Sequence, residues 1–147
     1  MMPRLDEDSA TGAGRIATRR LDADDRVRQF TEFRKRMNER ILAEPNQVVR
    51  RFFALDTQTY QPGALDVKTK ELLGLVASLV LRCDDCISYH VAQCKEAGAS
   101  RDELFETFSV GLVVGGSIVI PHLRRAVDFL DRLERGDAVP HSAHDHG

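Results

Sequence analysis

Three residues in the middle of the chain, Cys83, Cys86 and His90, have the types and the spacing that thiol chemistry needs. They form the pattern C-x2-C-x3-H, and offsets of three, four and seven residues place side chains on one face of a helix. Two neighbouring thiols can be oxidised to a disulfide, and an imidazole one turn further on can accept a thiol proton and return it. The pattern therefore predicts a redox-active dithiol with its own base.

The residues next to this pair act on the thiol pKa in both directions. A helix N-terminus carries a partial positive charge that lowers the pKa of a cysteine, and Arg82 acts in the same direction. Asp84 and Asp85 act against it, because anions beside a thiolate disfavour the charged form. The sequence leaves open which influence is larger.

Glu71 is an acid at the start of an otherwise apolar stretch, one helix before Cys83. A carboxylate in such surroundings is costly without a partner or a role. We expect Glu71 to hold the imidazole of His90 in one tautomer. The alternative is a solvent-facing residue in a first helical turn, where the helix dipole favours an acid.

Two other interpretations of the cysteines remain. The pair can be two small buried side chains, or Cys94 can extend the row to a zinc pattern, C-x2-C-x3-H-x3-C. A helix rises about 16 Å from Cys83 to Cys94, whereas zinc ligands lie about 2 Å from one ion, so one helix cannot supply all four. A remote fourth ligand would be required. We therefore expect no metal, and a packed thiol at Cys94, with a second resolving or intersubunit cysteine as its alternative.

The other histidines lie near the C-terminus. His141, His144 and His146 look like a metal-binding tail, but short histidine-rich ends are more often solvated. His122 follows Pro121 at the start of the last helix, and we expect an ordinary capped or packed side chain there.

Length and charge exclude several classes of function. The 147 residues suffice for one domain with a real core. Because the chain has 21 basic and 23 acidic residues, we expect neither a nucleic acid nor an anionic membrane surface as a partner.

The longest apolar runs, over 72–81 and 110–120, are shorter than the roughly 20 residues that span a bilayer. The N-terminus does not resemble a secretion signal. We expect a cytoplasmic protein.

The elements that must position the cysteines are helical throughout. Apolar spacing predicts helices over about 24–43, 47–55, 67–81, 84–97, 101–114 and 117–133, with a loop over 56–65. Asp66 and Ser100 are predicted N-caps, the latter in a capping box with Glu103, and Gly98 is a predicted C-cap.

The predicted helix that carries Glu71 is apolar on all sides beyond that residue, so we expect burial between subunits as well as within one. Residues 1–20 and 136–147 are small and polar. They predict a disordered arm and a disordered tail on either side of one helical domain over 21–135.

The stretch from Lys68 to Leu130 resembles the carboxymuconolactone decarboxylase superfamily, and within it the AhpD-like alkylhydroperoxidase branch. The likeness lies in KTKELLGLVASLVLRCDDCISYHVAQCKEAGAS, followed by the small-residue run VGLVVGGS. In that branch a glutamate precedes a C-x2-C-x3-H motif by about one helix. Here those positions are Glu71, Cys83, Cys86 and His90.

The resemblance implies an all-α fold built around a helical hairpin and assembled as a homo-oligomer, commonly a trimer or hexamer. It also implies a hydroperoxide reductase without an organic cofactor, in which one thiolate attacks the peroxide and becomes a sulfenic acid, and the other cysteine condenses with it to a disulfide. Cys86 would then be peroxidatic and Cys83 resolving, with His90 and Glu71 as the proton relay. Position at the helix start favours Cys83 as the more acidic thiol instead, so the order stays open.

The partners implied by the resemblance are a small hydroperoxide and a reductant protein that carries a thiol or a lipoyl group. One departure is Asp85, which stands where some relatives have a histidine, and thereby removes a base and adds a negative charge. Two other functions compete: a lactone decarboxylase, which uses acid and base groups rather than a dithiol, and a non-catalytic redox-sensing oligomer.

Overall fold

The computed structural model describes residues 26–136, and this part of the chain is entirely helical, without a strand. The all-α class is confirmed for these residues. The predicted arm over 1–20 and all but the first residue of the predicted tail lie outside them. The elements are α1 (Arg26–Leu42), α2 (Gln47–Thr59), α3 (Val67–Leu81), α4 (Asp84–Glu96), α5 (Arg101–Gly115), a 3-10 turn (Ser117–Val119) and α6 (Ile120–Glu134).

Several helices begin and end at the residues that the sequence predicts. The Asp66 carboxylate accepts a hydrogen bond from the Thr69 N–H at 2.7 Å and caps α3. Ser100 and Glu103 form the complete capping box of α5. Gly98 follows α4 with a φ of 87°, a left-handed conformation that glycine adopts without steric cost.

The helix α2 is longer than predicted. Residues 56–59, a loop by the sequence prediction, continue the helix to Thr59. The hydroxyls of Thr57 and Thr59 donate to carbonyls one turn back, at 3.2 and 2.8 Å, so these polar side chains are satisfied within the helix. The connection to α3 therefore begins only at Tyr60.

The last helix starts later than predicted. Residues 117–119 form a 3-10 turn, and α6 begins at Ile120. Pro121 lies in its first turn, where a missing N–H costs nothing because the first amides of a helix have no intrahelical acceptor. The proline thus fixes where the α-helix can start.

The hydrophobic core lies where α3, α4, α5 and α6 pack together. Consecutive helices α3 and α4 pack on each other across a connection of two residues. Full burial of one leucine or phenylalanine side chain contributes roughly 1.5 to 3 kcal/mol. The completely or almost completely buried apolar side chains of these four helices include Leu75, Leu79, Ile87, Val91, Leu104, Phe108, Phe129 and Leu130.

Some apolar side chains of the same helices point away from this core. Leu81 of α3 is 76% exposed. Val110, Val113 and Val114 of α5 are 53%, 86% and 68% exposed, and these three valines are called the α5 apolar face below. Within residues 26–136, these apolar side chains of α3 and α5 are left exposed.

None of the helices within residues 26–136 combines the length and the apolar character that a membrane crossing requires.

Candidate redox site

Cys83 and Cys86 are joined by a disulfide at the start of α4, with their Cα atoms 5.3 Å apart. Cys83 is the N-cap residue, and its sulfur accepts a hydrogen bond from the Cys86 N–H at 3.3 Å. Cys83 is half-buried, whereas Cys86 is exposed. The pair is therefore anchored in the helix start at Cys83 and open to solvent at Cys86.

Arg82 makes the turn that leads into this pair. Its φ of 60° and ψ of 39° lie in the left-handed region, where a residue other than glycine costs about 1 to 2 kcal/mol. The strained turn lets the N–H groups of Arg82 and Cys83 bond to the carbonyls of Leu79 and Ser78 at the end of α3. The turn thus fixes the start of α4, and with it the cysteines, against α3.

His90 lies one turn after Cys86, and its Nδ1 is 2.7 Å from Oε2 of Glu71 on α3. Glu71 is completely buried and His90 is 8% exposed. The alternative of a solvent-facing Glu71 is therefore wrong. A carboxylate at this distance accepts the Nδ1 proton, so Nε2 is the proton acceptor of the neutral ring.

Tyr60 and Gly74 complete the surroundings of this imidazole. The rings of Tyr60 and His90 have centroids 5.5 Å apart. A β-carbon at Gly74 would lie 2.5 Å from Cε1 of His90, so only glycine lets the ring come this close to α3. Burial, followed by the charges of Glu71 and Asp56, raises the pKa of Tyr60 to about 12.

Sequence reasoning missed both of these contacts. Tyr60 is one of two tyrosines in the chain and directly precedes the turn residues Gln61, Pro62 and Gly63. A phenol at such a fixed turn was the signal available, but nothing in the spacing relates it to His90.

A second histidine is tied to the start of α4. Nδ1 of His122 on α6 lies 2.7 Å from Oδ1 of Asp84, and Arg125 donates to the other oxygen of that carboxylate at 3.1 Å. The expectation of an ordinary packed side chain at His122 therefore missed a specific partner. Because Asp84 stands between the two cysteines, this cationic side of α6 offsets the negative charge next to the disulfide.

A cleft of about 510 Å³ opens beside Cys86. Within it the guanidinium of Arg34 lies 3.8 Å above the ring of Tyr89, a cation–π contact. The exposed cysteine thus adjoins a cleft with apolar and charged walls. Its lining residues are Phe30, Phe33, Arg34, Met37, Asn38, Asp56, Asp85, Cys86 and Tyr89.

Cys94 is fully buried and takes no part in the disulfide. Burial, with the charges of Glu71 and Glu103, raises its thiol pKa to about 12. It is the packed, protonated thiol that the sequence predicts. Among residues 26–136 no three histidine, cysteine or acidic side chains converge on a point that could hold a metal ion. The three tail histidines lie outside these residues.

A sequence model of one protein family matches residues 46–129, which is more than half of the chain and includes Glu71, Cys83, Cys86 and His90. The family is the carboxymuconolactone decarboxylase family. The chain belongs to it.

Two curated relatives of this family member are proteins without an assigned function. Uncharacterized protein 4 in the cox locus of Paracoccus denitrificans is 29% identical over 83 residues, which are 56% of this chain and 75% of that protein. An uncharacterized protein of Cupriavidus necator is 29% identical over 73 residues, 50% of this chain and 65% of that protein.

Solved structures of the carboxymuconolactone decarboxylase family share the fold. Two crystal structures of one Thermotoga maritima protein superpose with a TM-score of 0.71, at 59% and 57% identity; they cover 73% and 74% of this chain and 94% and 92% of that one. That protein is described as a family member with a possible involvement in antioxidative response. A family protein from Legionella pneumophila, solved in its apo form, is 27% identical with a TM-score of 0.65, over 78% of this chain and 99% of that one.

Proposed function

We propose that this family member is a thiol-dependent hydroperoxide reductase of the AhpD-like branch, which cycles between the dithiol and the disulfide of Cys83 and Cys86. The observation that carries the proposal is the contact of His90 with buried Glu71, one turn after an exposed disulfide. A purely structural disulfide needs no imidazole with a fixed tautomer beside it. The antioxidative role suggested for the Thermotoga maritima protein supports the same chemistry.

The first half of the reaction uses one thiolate and one proton. The thiolate attacks an oxygen of the hydroperoxide, the O–O bond breaks, and the cysteine becomes a sulfenic acid. His90 takes the thiol proton at Nε2 and returns it to the leaving alkoxide, which departs as an alcohol. Glu71 stabilises the imidazolium that exists in between.

The second half closes the disulfide. The other thiol attacks the sulfur of the sulfenic acid, the S–O bond breaks, and the hydroxide leaves with the thiol proton as water. One hydroperoxide and one dithiol thus give one alcohol, one water and one disulfide. A reductant protein with a thiol or lipoyl group then restores the dithiol by exchange.

The two cysteines divide these roles by their positions. Cys86 is exposed and lines the cleft, so we assign the attack on the hydroperoxide to it. Cys83 is half-buried at the N-cap, where the Cys86 amide points at its sulfur and favours a thiolate ready to resolve the sulfenic acid. The reverse assignment remains distinguishable by which single variant traps the sulfenic acid.

The proposal extends to the substrate, the assembly and the cellular location of the enzyme. The cleft would take a small hydroperoxide, with aromatic side chains against its organic part and charged ones around the reacting oxygens. The α5 apolar face supports assembly with further copies of the chain, as a trimer or hexamer. A dithiol that must be re-reduced suits the cytoplasm, where thiols are kept reduced.

A lactone decarboxylase is the second candidate, and one observation favours it. The Glu71 and His90 pair is an acid–base group, and Arg34 places a cation in the neighbouring cleft, as lactone chemistry at an anionic substrate requires. Such an enzyme uses neither cysteine. Its activity would therefore survive replacement of both.

The deciding experiment is stopped-flow consumption of hydrogen peroxide and an organic hydroperoxide by the reduced protein, with mass spectrometry of the product. We expect consumption that ends in a disulfide between Cys83 and Cys86. Cys86→Ser should abolish consumption, and Cys83→Ser should stop at a sulfenic acid on Cys86.

Cys94→Ala serves as the control, because its thiol is buried and should leave consumption unchanged. Peroxide consumption by the double serine variant would refute the dithiol mechanism. A disulfide that forms in the wild type, but without sustained turnover with any dithiol reductant, would favour the redox-sensing alternative.

A further inference from the structure

Tyr60 and His90 meet over Gly74, on the side of the imidazole that Glu71 leaves open. The place where a β-carbon of residue 74 would stand lies 2.8 Å from Nε2 of His90 and 2.7 Å from the hydroxyl oxygen of Tyr60. The phenol and the ring nitrogen therefore face one narrow gap above the backbone of α3.

The same helix fixes both partners. Nζ of Lys70 donates to the carbonyls on either side of Tyr60, at 2.8 Å to Thr59 and 2.6 Å to Gln61. The next residue, Glu71, holds Nδ1 of His90. Two adjacent residues of α3 thus hold both partners: Lys70 holds the turn that carries Tyr60, and Glu71 holds the ring of His90. The position of Tyr60 relative to His90 is therefore fixed by specific hydrogen bonds.

The protonation states on the two sides of the gap are complementary. With the Nδ1 proton donated to Glu71, Nε2 of the neutral ring is an acceptor. Tyr60 stays a neutral hydroxyl, because burial and the charges of Glu71 and Asp56 raise its pKa to about 12. A neutral hydroxyl can donate to Nε2, and it can accept from Nε2 once the imidazole is protonated.

We propose that Tyr60 is a positioning residue for His90: its hydroxyl donates to Nε2 while the imidazole is neutral, turns away from that lone pair when the thiol proton arrives there, and accepts from the Nε2–H of the imidazolium. Glu71 fixes the tautomer from the other side of the ring, and Gly74 provides the room for the contact. The role deepens the proposed function, since it assumes that His90 serves the cysteines. The contact itself is a property of the resting protein and can be observed without a substrate.

The test is to compare the His90 side chain in Tyr60→Phe with that in the wild type by nitrogen-15 NMR over a pH series. Loss of one oxygen should move the Nε2 resonance toward that of a ring nitrogen without a hydrogen-bond donor. The other ionisable side chains that face the ring or the phenol are Asp56 on α2, Glu71 on α3 and Tyr89 on α4, and they are unchanged in the variant. Hydroperoxide consumption should fall about tenfold, as when a residue that orients a reactive group is removed.

Tyr89→Phe is the matched control. The ring of Tyr89 also contacts His90, at 5.2 Å between centroids, but the hydroxyl placed at the Gly74 gap is that of Tyr60. We expect this variant to leave the Nε2 resonance in place. Gly74→Ala puts a methyl group into the gap and should shift Nε2 as Tyr60→Phe does; should it fail to fold, Tyr60→Phe decides alone.

An unchanged Nε2 resonance in Tyr60→Phe would overturn the inference. Because this measurement uses no peroxide, the inference fails separately from the proposed function. If the wild type consumes no hydroperoxide, the proposed enzymatic function is refuted, but the contact between Tyr60 and His90 is not. If the wild type and Tyr60→Phe consume hydroperoxide at the same rate and have the same His90 spectrum, only the positioning role of Tyr60 is refuted.

Discussion

Asp84 and His122 tie the last helix to the residue that stands between the two cysteines, with 2.7 Å between Oδ1 and Nδ1. The Asp84 side chain is 40% exposed and that of His122 is 19% exposed. The start of α4 is thus held by two histidine–carboxylate pairs, this one near the surface and the buried pair of Glu71 and His90. In the proposed reaction the buried pair transfers the proton, and the outer pair controls the charge beside the disulfide.

Asp84→Asn should therefore change the thiols and the stability together. Removing the negative charge lowers the pKa of the reactive thiols in the reduced protein, because repulsion of the thiolate is lost. Weakening a half-exposed ion pair lowers the free energy of unfolding by about 0.5 kcal/mol. The pH dependence of alkylation by iodoacetamide measures the first effect, and urea denaturation measures the second.

Asp85→Asn is the control for this variant. Asp85 is exposed and lines the cleft, so its replacement removes an equal charge without touching the contact to His122. We expect a lower thiol pKa and a smaller loss of stability than in Asp84→Asn, because both acids lie in the first turn of α4, where the helix dipole favours them, but Asp84 also has the ion pair with α6. If both variants lost the same stability, the contact between α4 and α6 would have no energetic role.

Glu71→Gln should slow hydroperoxide consumption by roughly 10- to 100-fold, in the range found when a residue that orients a reactive group is lost. Glutamine has nearly the same shape, but it cannot stabilise the imidazolium that forms when His90 takes the thiol proton. Stopped-flow measurement of the reduced variant checks this. Glu106→Gln, on the exposed side of α5, removes an acid from outside the site and should leave the rate unchanged; equal rates in the wild type and in Glu71→Gln would exclude the relay.

Alkaline pH should destabilise the protein, because Cys94 and Tyr60 hold protons in the folded state that the unfolded chain releases. Their pKa values rise from 9.0 and 10.0 to about 12. Below about pH 8 both groups are protonated in the folded and the unfolded state, so neither makes stability depend on pH. Between about pH 9 and 12 the unfolded chain binds fewer protons, so stability falls as the pH rises, by up to about 1.4 kcal/mol per pH unit for Cys94 and by less for half-buried Tyr60.

Urea denaturation at several pH values from 8 to 11 measures this slope. Cys94→Ala removes the group with the larger effect. The free energy of unfolding of this variant should fall less steeply with pH, and the fall should begin nearer pH 10. A decline of the same slope in the variant would mean that the Cys94 thiol ionises as readily in the folded protein as in the unfolded chain.

The parts of the site that were predictable from sequence depend on short-range geometry. Cys83, Cys86 and His90 share one helix, and their common face follows from their spacing alone. The contact of Glu71 with His90 was also predictable, because an acid in an apolar stretch needs a partner and the neighbouring helix offers an imidazole that a carboxylate can hold. The capping box at Ser100 and Glu103 follows from a local pattern in the same way.

The contacts that the sequence did not reveal depend on how distant elements pack. Tyr60 reaches His90 only because Lys70 holds the turn and residue 74 lacks a side chain, and no periodicity encodes either condition. The pairing of Asp84 with His122 depends on the approach of α6 to the start of α4. The additional turn of α2 was missed for a local reason. Threonines are typical of loops, and the sequence does not show that their hydroxyls here bond to carbonyls of the same helix.

The α5 apolar face yields a prediction about assembly. Val113 is 86% exposed, and a valine gains about 1.5 kcal/mol when it is fully buried, so a face of three valines favours association with another copy of the chain. Val113→Asp should therefore give a smaller species than the wild type in sedimentation velocity. Ala54→Asp is the control, because it adds the same charge at an exposed position on the polar side of α2, one turn from Arg50 and Gln58, and it should assemble normally.

The same variant separates assembly from chemistry. Within one chain Glu71 contacts His90 and Cys83 is bonded to Cys86, so each of these two pairs is complete in a single copy. Dissociated Val113→Asp should still oxidise its dithiol with hydroperoxide at close to the wild-type rate per chain. A dissociated variant that had lost this reaction would instead show that a neighbouring copy completes the cleft beside Cys86, and an undissociated one would place the interface elsewhere on the surface.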